Sequence, residues 1–547
     1  MKKLRLLLVA VLAFTMLAGT VAQAEDAEPI TITFLHCWNG GGASFPSDQV
    51  NNLVAQKLLE ETGVIMQMES LVTSELEKLN TMFASGVLPD LVNAPYWSTT
   101  GGEGEVIKDA ASQGLLYDIK DLLPDYPNVQ KLYEVGIALD YLEFDVYHPS
   151  FNGGVYVIPQ QTPSDDPETF TNWAYGVYCR GDILDALGVN AADITSAEAL
   201  YDLAVKIRDG GFKDAAGGEV IPMGTWHNGW SYQDFTDSFG TGYYLSKYRQ
   251  AEDGTVYLSN FDKSVEESML YIRKLLADGL LDVECFSNTD TMAKEKFAIG
   301  KVAIFGAQSG MGTFKETLYQ TNPEMEYRLL GPMIMKNGEM ATQVEKAGRS
   351  GSPVFFINGA ISEEKARAIL RYIDYINSEE GKLLVTYGVE GETFTYNEEG
   401  IPVFIPELKE QFDADPTVKN DMGLNFYHNF IGADDRNALW PTPEDQKTYY
   451  DKLEESFRDA MPIVFIDKVS VEYLERDYPG LEEYQENIST LNWEDELRRA
   501  YFAESDEAAL EILEAARQRL IDAGCEELCA YVQQKVAEYP DPERLSF

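Results

Sequence analysis

One glycine-flanked segment of this sequence alternates large aromatic rings with hydrogen-bonding side chains. It lies after Gly224 and contains Trp226, Asn228, Trp230, Tyr232 and Asp234. Trp and Tyr present a flat apolar face together with a polar edge, and amide or carboxylate oxygens accept hydrogen bonds from hydroxyl groups. Such a set can bind, without altering it, a small molecule that has apolar faces and a polar rim.

Two shorter groups of the same kind follow predicted strands. Trp38 and Asn39 come directly after the first strand, and Asn93, Tyr96 and Trp97 come at the end of the third. Ligands of open α/β sheets bind beyond the carboxyl ends of the parallel strands, so all three groups lie where a ligand is expected. Together they form our predicted ligand-binding set, and the alternative for each residue is a place in the hydrophobic core.

The sequence motifs of several enzyme classes are absent. We find no Gly-x-Ser-x-Gly elbow, phosphate-binding loop or dinucleotide fingerprint, and the 4 histidines form no zinc-binding pair. With 91 acidic residues, carboxylate pairs at glycosidase spacing arise by chance and carry no information. We therefore predict no enzyme, no cofactor and no metal site.

The net charge limits the classes of binding partner, and the cysteine count indicates whether disulfides stabilise the fold. The formal net charge of −48 produces a surface that repels nucleic acid and anionic lipid. The 5 cysteines are scattered and odd in number, which is not a disulfide framework. Cys525 and Cys529 lie one helical turn apart, where a disulfide or half of a metal site is conceivable, and we interpret them as small half-buried apolar side chains.

The amino terminus has the pattern of an export signal. Lys2, Lys3 and Arg5 precede an apolar run over 6–18, which is too short to span a bilayer, and a small-residue cleavage site follows at 22–24. This pattern predicts a signal peptide over 1–24 and a protein that is extracellular or periplasmic, at the outer face of the cytoplasmic membrane. An uncleaved membrane helix is the alternative.

Strand and helix patterns alternate from the start of the predicted exported part. Alternating apolar residues predict a strand over 30–34, and further strands are predicted over 64–68 and 90–93. Between them lie helices that end at Gly63 and Gly86, the second after a capping box at Ser74. This alternation predicts a parallel sheet with right-handed crossovers.

The same pattern returns later in the chain. Strands are predicted over 155–159, 174–179, 302–305 and 354–357, and helices are predicted to begin at Thr195, Ser264 and Ser362. From about residue 449 the chain is predicted to be mostly helical. Two α/β lobes joined by more than one chain crossing explain why no low-complexity linker separates them.

Six segments resemble those of extracellular solute-binding proteins of ABC importers, in the large family (family 1) that takes up sugars and oligosaccharides, and especially its long, lipoprotein-like members. They are residues 83–91, 114–122, 153–159, 179–188, 300–305 and 387–396. The first contains a Gly-x-x-Pro-Asp turn that ends at Asp90. Each motif is weak alone, and their order and spacing along residues 30–465 carry the resemblance.

The resemblance implies a two-lobed, periplasmic-binding-protein-like fold of type II, in which each lobe is a parallel-rich sheet flanked by helices. We expect the first lobe to comprise 25–160 and 300–355, and the second to comprise 161–299 and 356–465. A helical C-terminal extension over 466–547 completes the chain.

The resemblance also implies a function. We expect the chain to capture a carbohydrate, interpreted as a neutral oligosaccharide, in an interlobe cleft by aromatic stacking and hinge closure. Delivery to permease subunits in the membrane would follow, with the binding protein as a monomer. Alternatives are an oligopeptide-binding importer component, a secreted glycoside hydrolase and a cell-surface adhesion module.

Two departures from the family pattern matter. Thr20 stands where a bacterial lipoprotein carries its lipid-modified Cys, so no lipid anchor is predicted. Some long members carry a calcium loop in the region of 209–219, and here that segment lacks the alternating oxygen ligands that calcium requires. We therefore predict no calcium site.

Overall fold

Two mixed β-sheets, each flanked by helices, form the two lobes of this α/β chain. The computed structural model describes residues 28–547 except 38–44, 72–73, 97–101, 135–140, 161, 164–174, 227–228, 230, 242–246, 309–311, 339–352, 435–438, 445–446, 448–451 and 453–468.

The strands, in chain order, are β1 (Ile30–His36), β2 (Val64–Ser70), β3 (Leu91–Ala94), β4 (Val157–Pro159), β5 (Thr162–Pro163), β6 (Tyr175–Arg180), β7 (Ile221–Gly224), β8 (Tyr248–Gln250), β9 (Val256–Leu258), β10 (Val302–Gln308), β11 (Tyr327–Leu329), β12 (Val354–Ile357), β13 (Phe394–Tyr396), β14 (Pro402–Phe404), β15 (Ala433–Asp434), β16 (Val469–Ser470) and β17 (Leu545–Ser546).

The α-helices are α1 (Leu53–Thr62), α2 (Glu75–Ser85), α3 (Glu103–Ser112), α4 (Pro127–Lys131), α5 (Gly181–Leu187), α6 (Ala197–Gly210), α7 (Lys263–Ala277), α8 (Asp290–Ala298), α9 (Gly312–Thr321), α10 (Glu363–Ile376), α11 (Glu379–Tyr387), α12 (Pro406–Ala414), α13 (Pro416–Asp421), α14 (Leu481–Ile488), α15 (Trp493–Tyr501), α16 (Asp506–Asp522) and α17 (Cys525–Glu538).

The first sheet has the order β2-β1-β3-β12-β4. β1 pairs in parallel with β2 and with β3, so the parallel arrangement predicted from the alternation of strands and helices is confirmed. β12 runs antiparallel to both of its neighbours, β3 and β4. One strand of this sheet is therefore reversed, and the carboxyl ends of the other four share an edge.

The second sheet has the order β11-β6-β10-β7. β10 is parallel to β7, and β6 is antiparallel to both β10 and β11. The reversed strand of each sheet is the first one after the chain has left the other sheet, since β6 follows β4 and β12 follows β11. The chain thus crosses twice between the lobes, and a third crossing follows β15, which pairs in parallel with β5.

This topology corrects two of the predicted lobe assignments. Residues 300–355 were expected in the first lobe, but β10 and β11 pair within the second sheet. Residues 356–465 were expected in the second lobe, but α10 and the segment 424–431 pack in the core of the first. Buried apolar strands look alike in sequence, and only long-range pairing decides which sheet they join.

Three of the apolar clusters among the described residues hold the lobes and the extension together. The first surrounds the first sheet together with α1 and α10, and the second lies between the second sheet, α6, α7 and α15. The third joins the β8–β9 hairpin to α17 of the C-terminal extension. Arg273 of α7 donates to the carbonyl oxygen of Ala500 at 2.7 Å, so the extension is seated on the second lobe. Within the described part of the chain, no helix is both long and apolar enough to cross a bilayer.

Candidate functional site

The carboxyl edge of the first sheet is tied together by Asn93 at the end of β3. Its amide nitrogen donates to Oε1 of Gln160 at 2.5 Å and to the carbonyl oxygen of Val354 at 3.1 Å, and the residue is buried. These bonds join β3 to the residue after β4 and to the start of β12. Asn93, predicted to contact ligand, therefore positions the edge, because its amide hydrogens are already donated within the protein.

His36, the last residue of β1, lies beside this amide. Its ring meets Phe426 nearly at a right angle at 5.7 Å between centroids. Burial lowers the pKa of His36, and a hydrogen bond with Asn93 acts in the opposite direction. The imidazole is therefore mainly neutral at neutral pH, so His36 adds a polar group without a positive charge to the described part of this edge. His36 and Gln160 were not predicted, although both stand at the carboxyl ends of predicted strands.

Tyr96 belongs to the core rather than to a ligand surface. The residue is fully buried, its hydroxyl donates to the carbonyl oxygen of Asp145 at 3.0 Å, and its ring packs edge-on against Tyr141. Burial raises the pKa of Tyr96 well above its ordinary value. The structure gives this side chain a structural role in place of the predicted ligand contact.

Five predicted ligand-binding residues lie outside the described residues and stay predictions. They are Trp38, Asn39, Trp97, Asn228 and Trp230. Trp38 follows Cys37, whose amide nitrogen donates to the carbonyl oxygen of Asn93 at 2.7 Å, so the described chain reaches the sheet edge directly before it.

Trp226 follows the carboxyl end of β7, a strand that was not predicted. Its ring stacks on Phe297 with centroids 6.1 Å apart and an interplanar angle of 19°. The ammonium group of Lys294 lies 5.6 Å from the centroid of the indole ring. Phe297 backs the indole ring, and Trp226 itself is buried.

Tyr232 joins the second lobe to the C-terminal extension. Its ring packs edge-on against Phe286 and against Tyr501, in each case with centroids 5.7 Å apart. Its hydroxyl donates to Oε2 of Glu494 at 3.3 Å, and burial raises its pKa. Tyr232 is a core residue in this structure, and the predicted ligand contact is replaced by a contact with the extension.

Asp234 lies beneath the sheet edge, fully buried, beside Gly306 of β10. A Cβ atom at position 306 would stand 2.4 Å from Oδ2 of Asp234, which explains why this strand position is glycine. Burial and then the charge of Asp237 raise the pKa of Asp234, and burial raises the pKa of Asp237. The pair therefore favours a protonated carboxyl group under the edge, not an exposed acceptor for a ligand.

The segment 282–288 was not predicted, and it contacts the predicted ligand-binding loop over 224–234, which we call the candidate loop. Leu281 bridges in parallel to Met223 of β7, so the following residues stand at the same carboxyl edge. The ammonium group of Lys296 donates to Asp282 at 2.7 Å, Glu284 at 2.9 Å and Asn288 at 3.1 Å. No local pattern reveals this network, because it depends on strand pairing between distant parts of the chain.

Metal and thiol chemistry find little support in the described structure. Within the described ranges, no group of three or more His, Cys, Asp or Glu side chains is arranged to hold a metal ion. The cysteines are buried free thiols, and burial raises the pKa of Cys525 to about 12 and that of Cys529 to about 11. Thiols with such pKa values are poor nucleophiles at neutral pH.

Sequence comparison links the chain to sugar-binding components of ABC transporters. No family model matches the chain. It is 24% identical over 248 residues to the fructooligosaccharide ABC transporter substrate-binding protein FusA of Streptococcus pneumoniae, covering 44% of each protein. It is 20% identical over 363 residues to the polygalacturonan/rhamnogalacturonan-binding protein YtcQ of Bacillus subtilis, covering 61% of this chain and 64% of YtcQ. The matched parts thus span less than two thirds of either relative.

Structural comparison covers nearly the whole chain. FusA of S. pneumoniae in complex with kestose superposes with a TM-score of 0.63 at 16% identity, over 93% of this chain and 99% of that one. The alginate-binding protein AlgQ2 without calcium gives 0.63 at 18% identity, over 93% and 98%. A solute-binding protein from Bifidobacterium longum infantis, described as binding HMO, gives 0.62 at 15% identity, over 93% and 98%. The chain therefore has the fold of the two-domain periplasmic solute-binding proteins.

Proposed function

We propose that this chain is the exported substrate-binding component of an ABC importer and captures an oligosaccharide between its two lobes. The observation that carries the proposal is the pair of sheets with aromatic and polar residues at their carboxyl edges, near Asn93 in one lobe and Trp226 in the other. The saccharide binding named for FusA and for the B. longum protein supports the same ligand class.

The chemistry of the described edges favours an uncharged saccharide. His36 has a lowered pKa, and the ammonium group of Lys296 is paired with Asp282 and Glu284. Among the described residues, neither His36 nor Lys296 therefore offers a free positive charge to a uronic acid carboxylate, and the net charge of −48 opposes a polyanion. The ligand is proposed to leave unaltered, to permease subunits in the membrane, with the binding protein as a monomer outside the cytoplasm.

A thermal-shift panel tests the proposal. The purified protein is heated with neutral oligosaccharides, oligogalacturonates, alginate oligomers and peptides. A true ligand present at one hundred times its dissociation constant adds about 2.7 kcal/mol to the free energy of unfolding. Stabilisation by a neutral oligosaccharide is expected, with the sugar recovered intact, whereas stabilisation by peptides alone would favour the oligopeptide alternative.

Trp230→Ala separates a ligand contact from a core residue. We expect this variant to lose affinity for the best saccharide while its melting temperature without ligand stays near that of the wild type. The matched control is Trp440→Ala, since Trp440 is buried against Tyr387 and its loss lowers stability instead. If Trp230→Ala and Trp440→Ala lower the melting temperature equally, Trp230 is a core residue and not a ligand contact.

A further inference from the structure

We infer that the C-terminal extension adds an aromatic subsite to the second lobe, formed by Phe286 and Phe502, which takes a terminal ring of a longer saccharide. This inference rests on the proposed function and extends it, because it assigns part of the ligand surface to a segment outside both lobes.

Phe502 is the residue that follows α15, and 55% of its surface is exposed. Its ring meets Phe286 at an interplanar angle of 87° with centroids 6.0 Å apart. Phe286 is nearly buried and also contacts Tyr501 at 5.4 Å. One ring is thus held rigidly by the core, and it fixes a second ring whose surface remains open to solvent.

The position of this pair follows from the sheet topology. Phe286 lies in the segment 282–288, directly beyond the carboxyl edge of β7. The amide nitrogen of Gly229 donates to the carbonyl oxygen of Cys285 at 2.8 Å, and a Cβ atom at position 229 would stand 2.5 Å from the Phe286 ring. Phe286 is therefore in direct contact with the predicted ligand-binding loop, and the exposed Phe502 ring contacts Phe286.

The extension is anchored where it reaches this surface. Tyr232 donates to Glu494 and contacts Tyr501, so α15 is fixed at both ends to the candidate loop. Arg273 donates to the carbonyl oxygens of Ala500 at 2.7 Å and Ala503 at 3.0 Å, on either side of Phe502. A ring held on an anchored backbone loses little conformational entropy when a ligand stacks on it.

The segment that carries Phe286 also carries an exposed polar side chain, as a sugar requires. This side chain is Glu284, which Lys296 holds in place, whereas Asn288 of the same segment is buried. The side chain of Glu284 is 61% exposed and retains an oxygen atom that can accept from a hydroxyl group. A flat apolar face on one segment and a fixed carboxylate on its neighbour match the apolar faces and hydroxyl rim of a pyranose or furanose ring.

Titration with a chain-length series tests the subsite. Wild type and Phe502→Ala are titrated calorimetrically with fructo-, malto- and xylo-oligosaccharides from disaccharide to hexasaccharide, and the series that binds is analysed. We expect Phe502→Ala to weaken the longest members about tenfold, corresponding to about 1.4 kcal/mol, and to leave the shortest members unchanged. Phe502→Tyr, which keeps the ring, is expected to bind like the wild type.

Phe547→Ala is the matched control. Phe547 is also an exposed phenylalanine of the extension, at 37%, but it follows β17, which belongs to a different apolar cluster. Phe547→Ala should bind every length as the wild type does. Equal affinity of wild type and Phe502→Ala for every length would overturn the subsite and assign the exposed ring to a protein contact. Binding of no saccharide by the wild type would overturn both this inference and the proposed function.

Discussion

Replacement of Lys108 by methionine tests a buried ion pair of the first lobe whose carboxylate also accepts a hydrogen bond from the C-terminal extension. The Lys108 ammonium group contacts the carboxylate of Asp145, which is fully buried, while the side chain of Lys108 is 18% exposed. The hydroxyl of Tyr473, in the extension, donates to the other oxygen of Asp145 at 2.8 Å. Lys108→Met leaves the carboxylate in place and removes this positive partner.

The expected loss of stability in Lys108→Met follows from the burial of Asp145. Removal of one partner from a buried ion pair costs about 3–5 kcal/mol, because the remaining charge stays desolvated. Since Lys108 is partly exposed and water can enter in its place, we expect a loss near the lower limit, about 3 kcal/mol. For a folding unit of 150–250 residues this corresponds to a fall in melting temperature of about 6–12 °C.

Calorimetric melting of matched variants provides the assay. Lys57→Met removes a comparable contact, since Lys57 lies 2.7 Å from Glu60, but the two side chains are 38% and 60% exposed. Exposed pairs contribute about 0–1 kcal/mol, so this control should melt within about 4 °C of the wild type. In the double variant Lys108→Met/Asp145→Asn, the neutral amide still accepts from Tyr473, and most of the lost stability should return.

Two results would refute the reasoning. If Lys108→Met and Lys57→Met lower the melting temperature equally, burial of Asp145 does not set the strength of the pair. If Asp145→Asn fails to restore the Lys108→Met variant, the loss comes from packing of the lysine chain and not from the unpaired charge.

Three shorter predictions test the remaining assignments. Burial raises the pKa of Asp234 above its unfolded value of about 3.9, so the folded wild type loses stability as the pH rises above about 4. Asp234→Asn removes this cost, and it should therefore raise the melting temperature at pH 7 more than at pH 4. Gly306→Ala should lower the free energy of urea unfolding by about 1–3 kcal/mol, because the new methyl group overlaps Asp234 and the carbonyl oxygen of Ser231. Tyr96→Phe should lower stability by about 1 kcal/mol through loss of its bond to Asp145, with no change in saccharide affinity by titration.

Local signals in the sequence predicted helix ends closely. The Ser74 hydroxyl accepts from the amide nitrogen of Glu77 at 3.2 Å, and Gly63 and Gly86 end α1 and α2 with φ angles of 67° and 68°. A cap and a left-handed end depend on adjacent residues only, so one sequence contains the information needed.

At two helices, the residue that caps the amino terminus lies one or two positions from the predicted cap residue. Ser196 caps α6, one residue after the predicted Thr195, and its hydroxyl accepts from Ala199 at 3.2 Å. Asp262 caps α7 in place of Ser264, and the Asp262 carboxylate accepts a hydrogen bond from the amide nitrogen of Ser264 at 2.8 Å. All four residues have side chains that can cap a helix, and the tertiary packing of the helix decides which of them does so.

Composition predicted the ligand-binding set, but it did not predict that some members of the set are buried. Tyr96 and Tyr232 have the residue type expected of a sugar contact, yet their hydroxyl partners Asp145 and Glu494 lie 49 and 262 positions away. An aromatic residue with a polar handle suits a buried site with a hydrogen-bond partner as well as a wet surface. Only the long-range partner distinguishes these two roles, and the sequence does not identify it.

The extension contacts both lobes, and these contacts are unequal. Toward the second lobe it has the Arg273 bonds to α15, the Lys247–Glu475 ion pair at 2.7 Å and shared apolar cores. Toward the first lobe, Tyr473 contributes a hydrogen bond to Asp145. A rotation of one lobe against the other strains one of these two sets, and the Tyr473–Asp145 hydrogen bond is weaker than an apolar core reinforced by ion pairs. We therefore expect the extension to move with the second lobe if the lobes rotate, so that Phe286 and Phe502 keep their geometry while the Tyr473–Asp145 bond breaks or lengthens.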